Sequence, residues 1–260
     1  MTILKLEQSV QLHYLSEGDG PALLLFNGAG LPLTFWGETA RQLACNHRVV
    51  RFDQRNAGNT RFEGSFTLND VARDAALLLE HLGIDSATII GHAWGGRVAQ
   101  VFARDYAQMV GRMVICGTGG QFPPLDMGQW PEQYRTARRS GDRVAWEEAL
   151  VAMFCAPGFN ERQPGLFREV SDACWEKPIA QGRWDARVSP SRSYWGLADK
   201  PTLLLYGEHD KNGTPENARD LRDRLQARLV TIENAGHFVV VEKQAEVVRQ
   251  IEDFLTETGR

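Results

Sequence analysis

The sequence predicts an α/β fold, with a mostly parallel sheet flanked by helices and a helical segment inserted late in the chain. Short apolar runs alternate with amphipathic stretches between residues 22 and 116. The same alternation resumes between residues 202 and 256. Between Gly119 and Leu197 there is no strand pattern, and this interval is too long for a plain loop. Such alternation is typical of parallel strands joined by right-handed crossovers.

The first alternating region contains five predicted strands and three predicted helices. Val10–Tyr14 alternates with period two, whereas Ala22–Phe26 is a continuous apolar run that fits a strand buried on both faces. Thr67–Leu82 predicts a helix, because its apolar residues recur at helical spacing. The other predicted elements are helices at 35–44 and 94–105 and strands at Arg48–Phe52, Ala87–Ile90 and Met113–Cys116.

The second half of the chain divides into a helical interval and a return to the sheet. Helical patches are predicted at Tyr134–Arg139, Val144–Phe154 and Leu166–Trp175. The sheet resumes with strands Thr202–Tyr206 and Leu229–Ile232, an intervening helix Pro215–Ala227 and a C-terminal helix. We therefore predict a core domain of residues 1–119 and 198–260 and a helical cap domain of residues 120–197.

A strand–turn–helix junction at residues 90–96 carries the first chemical signal. Gly91 and Gly95 lie two residues on either side of Ala93, between a predicted strand and a predicted helix. Glycine here permits a sharp turn that lifts the central side chain above the sheet. At a helix start, backbone N–H groups favour developing negative charge. The pattern alone leaves two interpretations: a site of nucleophilic catalysis or an ordinary glycine-rich turn.

Two polar turns follow the buried strands of the last third of the chain. Asp210 comes shortly after strand Thr202–Tyr206, and His237 lies in a Gly-His turn between the last strand and the last helix. A histidine in this place favours a general base, and an acid that accepts its other ring N–H would orient it. Glu208 and Asp126 are the alternatives for that acid.

A third glycine-rich segment, Gly28-Ala29-Gly30, follows the strand Ala22–Phe26. Glycine allows backbone to approach a ligand oxygen closely. The alternative interpretation of this segment is a simple turn.

Together these residues resemble the α/β-hydrolase superfamily over essentially the whole chain. Within it the sequence is most similar to enol-lactonase and esterase-type members that carry a small helical cap. Asp53–Thr60, similar to the family's D-x-R-G-x-G-x-S loop, and Met113–Thr118 add to the resemblance. The resemblance implies an eight-stranded, mostly parallel sheet and the chain order nucleophile, acid, base.

The resemblance also implies a role for each candidate residue. Ala93 occupies the nucleophile position, His237 is the general base, and Asp210 orients it. The backbone amides of Ala29 and Trp94 are the implied donors of the oxyanion hole. In the family such a site hydrolyses esters or lactones through an acyl-enzyme, and hydrolysis of a carbon–carbon bond on the same triad is the other possibility.

Three residues depart from the family pattern. Asn27 stands where the family often has histidine, and Asn56 where it usually has glycine; neither change removes a catalytic group. Ala93 does, because alanine has no lone pair with which to attack a carbonyl. The intact acid, base and oxyanion segment favour an engineered, disabling substitution. The alternative is a natural pseudoenzyme that uses the capped pocket as a receptor.

The identity of the lost nucleophile rests on neighbouring residues. Serine is favoured, since members with an Asp nucleophile usually carry proline soon after the oxyanion glycine and this chain has Gly28-Ala29-Gly30. Trp94 matches the halide-binding tryptophan of haloalkane dehalogenases, but Ala29 stands where those enzymes have asparagine. Tyr134 and Tyr194 keep an epoxide hydrolase as an alternative, since epoxide hydrolases use cap tyrosines as acids.

Aromatic residues concentrate in the predicted cap and indicate a hydrophobic substrate. Five of the seven tryptophans fall there or in its return, and most of them are expected to build the core of the cap. Because binding sites are mostly apolar with a few placed polar groups, we predict a hydrophobic ester or lactone. The predicted substrate-binding residues are Gly28, Trp130, Tyr134, Trp184 and Phe238.

Composition narrows the partners and the compartment. A net charge of −4 and a pI near 5.9 argue against nucleic acid or an anionic membrane as partner. The first residues lack a signal-peptide core, and no apolar run approaches the ~20 residues of a membrane span. Four widely spaced cysteines fit reduced thiols in a cytoplasmic protein. No metal or organic cofactor is expected, since no ligand cluster or phosphate loop occurs, and the sequence does not specify an oligomeric state.

Overall fold

An eight-stranded sheet forms the centre of the structure, a computed structural model that describes residues 2–6, 10–55, 57–175, 182–184, 194–196 and 199–257. The spatial order of its strands is β1-β2-β4-β3-β6-β7-β9-β10. These strands are β1 (Thr2–Lys5), β2 (Gln11–Glu17), β3 (Ala22–Phe26), β4 (Arg48–Phe52), β6 (Ala87–His92), β7 (Val110–Cys116), β9 (Thr202–Gly207) and β10 (Arg228–Ile232).

The sheet is parallel except at one edge. β1 pairs antiparallel with β2, and β2 antiparallel with β4, whereas every pair from β4 to β10 is parallel. The prediction of an α/β fold with a mostly parallel eight-stranded sheet flanked by helices is therefore confirmed. β1 is the strand that the sequence pattern did not indicate by itself.

Alternation along each central strand explains the continuous apolar runs. In β3, Leu24 and Phe26 pack into one hydrophobic cluster, and Leu23 and Leu25 into the other. Both faces of the sheet are therefore covered, and a strand between two cores has no polar face.

Helices cover both faces of the sheet. α2 (Leu68–His81), α3 (Trp94–Asp105) and α8 (Pro215–Leu225) supply one cluster, and α1 (Gly37–Leu43) and α10 (Gln244–Thr256) the other. The predicted helix at 35–44 begins as a 3₁₀ turn over Leu33–Trp36. No helix in the described ranges combines the length and apolarity that crossing a bilayer requires.

Among the described residues between β7 and β9, where the cap was predicted, there are four helices. They are α4 (Trp130–Ser140), α5 (Arg143–Phe154), α6 (Phe159–Arg162) and α7 (Pro164–Trp175). This interval also contains a strand, contrary to expectation: β8 (Gly182–Trp184) pairs parallel with β5 (Gly64–Phe66). Three residues are too few to produce an apolar period, which is why the pattern missed it. The division at 197/198 lies outside the described residues, and the two domains stay a prediction.

Candidate active site

The elbow, residues 91–96, places Ala93 between β6 and α3. Ala93 has φ 52° and ψ −117°, a backbone conformation that non-glycine residues rarely adopt. Its N–H donates to the carbonyl of Cys116 at 2.8 Å, and Thr118 Oγ1 donates to the Ala93 carbonyl at 3.0 Å. Hydrogen bonds to β7 and to the residues that follow it therefore hold the strained backbone of Ala93, whatever side chain it carries.

Three glycines make the turn sterically possible. A Cβ at Gly91 would lie 2.6 Å from the carbonyl oxygen of Gly95, and one at Gly95 would overlap the carbonyl oxygens of Phe26 and Asn27. A Cβ at Gly96 would overlap Thr118 Oγ1. The spacing of small residues that the sequence shows around Ala93 is thus a packing requirement.

The predicted base and acid lie side by side. His237 Nδ1 is 2.9 Å from Asp210 Oδ1 and 3.1 Å from Oδ2, and both residues are buried. Asp210 Oδ1 also accepts the backbone N–H groups of Asn212 at 2.8 Å and Gly213 at 2.7 Å. Because Nδ1 faces the carboxylate, Nε2 is the nitrogen left for chemistry.

The charge of Asp210 is stabilised by these neighbours. Burial opposes its ionisation, but the charge on His237 and the hydrogen bonds from His237, Gly213 and Asn212 outweigh that effect. The pKa of the Asp210 carboxyl is therefore held below its ordinary value. An ionised carboxylate at Nδ1 is what stabilises an imidazolium.

The two alternative acids lie elsewhere. Glu208 accepts the backbone N–H of Asn234 at 2.9 Å, a contact between two loops, and Asp126 accepts that of Gly128 at 2.8 Å within its own turn. The geometry therefore brings Asp210, and neither alternative, to His237.

A second histidine, His92, is hydrogen-bonded to the backbone of His237. Burial lowers the pKa of His92 to about 3, so its ring is neutral. His92 Nε2 lies 2.8 Å from the carbonyl oxygen of His237, and since that oxygen only accepts, Nε2 carries the proton and donates it. The ring stacks on Phe35 at 5.2 Å. Sequence reasoning overlooked this residue, although it directly precedes Ala93.

The predicted oxyanion segment lies against the elbow. A Cβ at Gly28 would lie 3.5 Å from the Cβ of Ala93, so this backbone runs beside the nucleophile position. Asn27 anchors the segment: its Nδ2 donates to the carbonyls of Leu31 and Phe52, and its Oδ1 accepts from Trp36 Nε1 at 2.7 Å. The asparagine that departs from the family pattern therefore has a structural role here.

The loop that resembles the D-x-R motif is built around Asp53. Its carboxylate accepts the N–H of Leu33 at 2.6 Å and of Asn59 at 2.7 Å, and contacts His13 Nδ1 at 2.6 Å. Arg55 forms a buried two-bond pair with Asp74. This loop supports the chain that follows the oxyanion segment. Asn56, the other departure, lies outside the described residues.

A cavity of about 300 Å³ opens at the elbow. Its lining includes Ala93, His237, the two predicted oxyanion residues Ala29 and Trp94, and three of the predicted substrate-binding residues. Those three are Gly28, Tyr134 and Phe238. Trp130, at the start of α4, is not part of this lining, and the side chain of Trp184 lies outside the described residues.

Several lining residues were not anticipated from sequence. Arg97 follows Ala93 by one helical turn and donates from Nε to the carbonyl of Gly119 at 3.1 Å. Helices α5 and α7 contribute Leu150, Phe154 and Cys174. The signal for Arg97 was available, since residues four apart share a helix face. No comparable sequence signal marked the lining residues of α5 and α7, because their apolar pattern fits a core equally well.

The end of α5 is fastened to both polar turns. The N–H of His237 donates to the carbonyl of Phe154 at 2.8 Å, and Asn212 Nδ2 donates to that of Met153 at 3.0 Å. Lys211 Nζ donates to the carbonyl of Ala152 at 2.7 Å. Hydrogen bonds therefore connect both the base turn and the acid turn to the end of α5.

Glu242 completes this junction. Its Oε2 accepts the N–H of Ala156 at 2.8 Å, and its Oε1 that of Gly236 at 3.1 Å. Burial raises the pKa of Glu242 to about 7, despite those bonds and the nearby His237. Sequence reasoning missed this carboxylate, which lies five residues after His237. Its two hydrogen bonds connect the base turn to the segment that follows α5.

Comparison with known proteins places this architecture among hydrolases. The family model described as alpha/beta hydrolase fold matches residues 21–244. The chain is 24% identical to epoxide hydrolase 1 of Caenorhabditis elegans, over 95% of this chain and 68% of that protein. It is also 24% identical to 3-oxoadipate enol-lactonase 2 of Acinetobacter baylyi, over 91% and 90%. A thermophilic esterase from Thermogutta terrifontis superposes with a TM-score of 0.79 at 24% identity, over 98% and 97% of the two chains.

Proposed function

Since this chain belongs to the α/β hydrolase fold family, we propose that its cavity is an acyl-transfer site for a carboxylic ester or lactone, with Ala93 in place of a serine nucleophile. One observation carries the proposal: His237 faces the cavity at Ala93 with its other nitrogen paired to Asp210. Lactonase and esterase relatives support the reaction class.

The geometry supports a role for each residue of the proposed site. A serine at 93 would attack the carbonyl carbon, and His237 Nε2 would take its proton and return it to the leaving group. Asp210 would stabilise the imidazolium, and the amides of Ala29 and Trp94 would bind the oxyanion. With alanine at 93 no acyl-enzyme forms, and loss of such a serine costs on the order of 10⁶ in kcat.

The lining supports a hydrophobic acyl or alcohol group. Leu31, Leu150, Phe154 and Phe238 supply apolar walls, while Arg97 and Asn212 add polar groups. The predicted preference is therefore for aromatic or medium-chain esters and lactones over short polar ones.

An introduced substitution explains the intact remainder of the site. Asp210 keeps its hydrogen bonds to His237 Nδ1 and to two backbone N–H groups, and Asn27 and Asp53 still organise the oxyanion side. A protein that had lost its chemistry would gain nothing from an aligned base and acid. A natural pseudoenzyme that binds without turnover is the contrasting candidate.

The test compares hydrolysis of an ester and lactone panel by Ala93→Ser, Ala93→Gly and the unchanged chain. We expect a gain of several orders of magnitude in Ala93→Ser alone. Ala93→Gly is the matched control, since glycine relieves the positive φ without supplying a nucleophile. If Ala93→Ser hydrolyses the panel no faster than the other two proteins and binding remains saturable, the chain is instead a receptor.

An Asp-nucleophile epoxide hydrolase is the second candidate, favoured by one cap residue. Tyr134 lines the cavity, and burial raises the pKa of its hydroxyl to about 12. Tyr194, the other tyrosine considered, packs in the core cluster of α2 and α3 instead. Ala93→Asp assayed on aryl epoxides tests this candidate. Turnover there, with Ala93→Ser silent on esters, would replace the ester assignment.

A further inference from the structure

His237 is a base without a nucleophile to activate. Its side chain is 92% buried, Nδ1 is held by Asp210, and no hydrogen bond to Nε2 is formed within the described residues. The methyl group of Ala93 lines the cavity where a serine hydroxyl would receive the histidine. The aligned base therefore has a vacant proton-acceptor nitrogen facing a ligand site.

The cavity wall offers this base little to deprotonate. Among its described lining residues, Tyr134 is the one hydroxyl and Cys174 the one thiol, and no carboxyl group is present. Burial raises the pKa of the Tyr134 hydroxyl to about 12, which keeps it protonated. Apart from the Cys174 thiol, a proton that reaches Nε2 therefore comes from a bound molecule or a water.

Another part of the cavity lining favours negative charge. The elbow begins the twelve-residue helix α3, whose N-terminus carries partial positive charge. The backbone of Gly28 and Ala29 borders the same space. Burial lowers the pKa of His92 to about 3, so this second ring does not compete with His237 for the proton. A positioned base opposite oxyanion donors is the arrangement that proton abstraction next to a carbonyl requires.

We propose that the chain as it stands, with Ala93, catalyses reversible proton transfer at the carbon next to the carbonyl of a bound hydrophobic ketone. The C–H bond breaks and its proton goes to His237 Nε2. The C–H electron pair forms the C=C bond, and the carbonyl π electrons move to the oxygen, giving an enolate held by the oxyanion amides. Return of a proton from the imidazolium to carbon restores ketone and base, so no other reactant is consumed.

This proposal rests on the same base and oxyanion segment as the proposed hydrolytic function. It predicts the opposite dependence on residue 93. A serine hydroxyl would occupy Nε2 and the space above the elbow, which lowers access of a carbon acid to the base. Alanine should therefore favour proton transfer, and serine should favour hydrolysis.

Deuterium exchange into 2-tetralone, a bicyclic ketone with a benzylic carbon next to its carbonyl, tests the proposal. Proton NMR in D₂O follows loss of the C1 and C3 signals with the unchanged chain, Ala93→Ser and His237→Gln. We expect saturable exchange on the order of 10²-fold above an equal concentration of imidazole. Exchange should fall to that background in His237→Gln and at least about tenfold in Ala93→Ser. Asp210→Asn is the second variant, with an expected loss of most of the exchange, and thermal melts monitor the fold of each protein.

The two proposals fail separately. Exchange that does not saturate, or that persists in both His237→Gln and Asp210→Asn, overturns the proton-transfer proposal even when Ala93→Ser hydrolyses esters. Exchange by the unchanged chain with no hydrolysis by Ala93→Ser supports proton transfer and removes the acyl-transfer assignment.

Discussion

The elbow and the base–acid turns meet at the same edge of the sheet but are built by different means. In the elbow, backbone does the positioning: glycine packing and bonds to Cys116 and Thr118 hold Ala93 at φ 52°. In the turns, side chains do it, since the ring of His237 is placed by Asp210. The nucleophile can therefore be replaced without disturbing the elbow, whereas the turns lose their geometry when one side chain changes.

The largest expected effect lies in the side-chain region. In the Ala93→Ser background, Asp210→Asn should lower kcat by about 10⁴-fold, because the amide cannot stabilise the imidazolium or fix its tautomer. Steady-state ester hydrolysis measures it. Glu208→Gln is the matched control, since that exposed carboxylate contacts the N–H of Asn234 and the side chain of His209 rather than His237. An equal loss in the control would mean that the acid is misassigned.

The elbow should show its largest effect in stability. Gly95→Ala places a Cβ against two backbone carbonyls that cannot rotate away, and should lower the free energy of unfolding by about 3 kcal/mol. Urea denaturation measures this. Gly111→Ala, whose Cβ would meet Ser86 Oγ at an ordinary 3.7 Å, should change stability by less than about 1 kcal/mol. Equal stability of the two variants would contradict a packing role for the elbow glycine.

Glu242 adds a pH dependence to the base turn. Its pKa is raised on folding from 4.5 to about 7, so the folded state holds the proton more tightly than the unfolded state. The resulting stabilisation is complete below pH 4.5 and is lost as the pH rises through about 7. Relative to Glu242→Gln, the unchanged chain should therefore lose about 2 kcal/mol between pH 5 and pH 8.

Urea unfolding at the two pH values measures this difference. Glu169→Gln, on an exposed face of α7, provides the comparison and should track the unchanged chain at both. A difference for Glu242→Gln that is flat with pH would show that the carboxyl does not titrate in this range.

The smallest effect is expected in the cap wall. Tyr134→Phe in the Ala93→Ser background should change kcat/KM for esters by less than about tenfold, because the acyl-transfer route uses no tyrosine acid. Trp130→Ala, outside the cavity lining, is the control. A fall of several orders of magnitude in Tyr134→Phe would assign the hydroxyl a proton-transfer role and strengthen the epoxide hydrolase candidate.

Much of the framework was predictable because it depends on local pattern. Alternating apolar runs gave the central strands, and glycine spacing gave the elbow at Ala93. The turns with Asp210 and His237 were identifiable because each follows a buried strand. β1, β5 and β8 were missed, since a strand of three or four residues leaves too short a pattern.

The sequence alone therefore determined the order of elements, the parallel sheet and the positions at its carboxyl edge, because hydrophobic periodicity and turn chemistry act within a few residues. Tertiary structure decided which acid reaches His237, that Arg97 and Phe154 line the cavity while Trp130 does not, and that Glu242 joins the base turn to the cap. Those outcomes depend on distances between segments far apart in the chain. Such distances follow only from packing of the whole sheet and its helices.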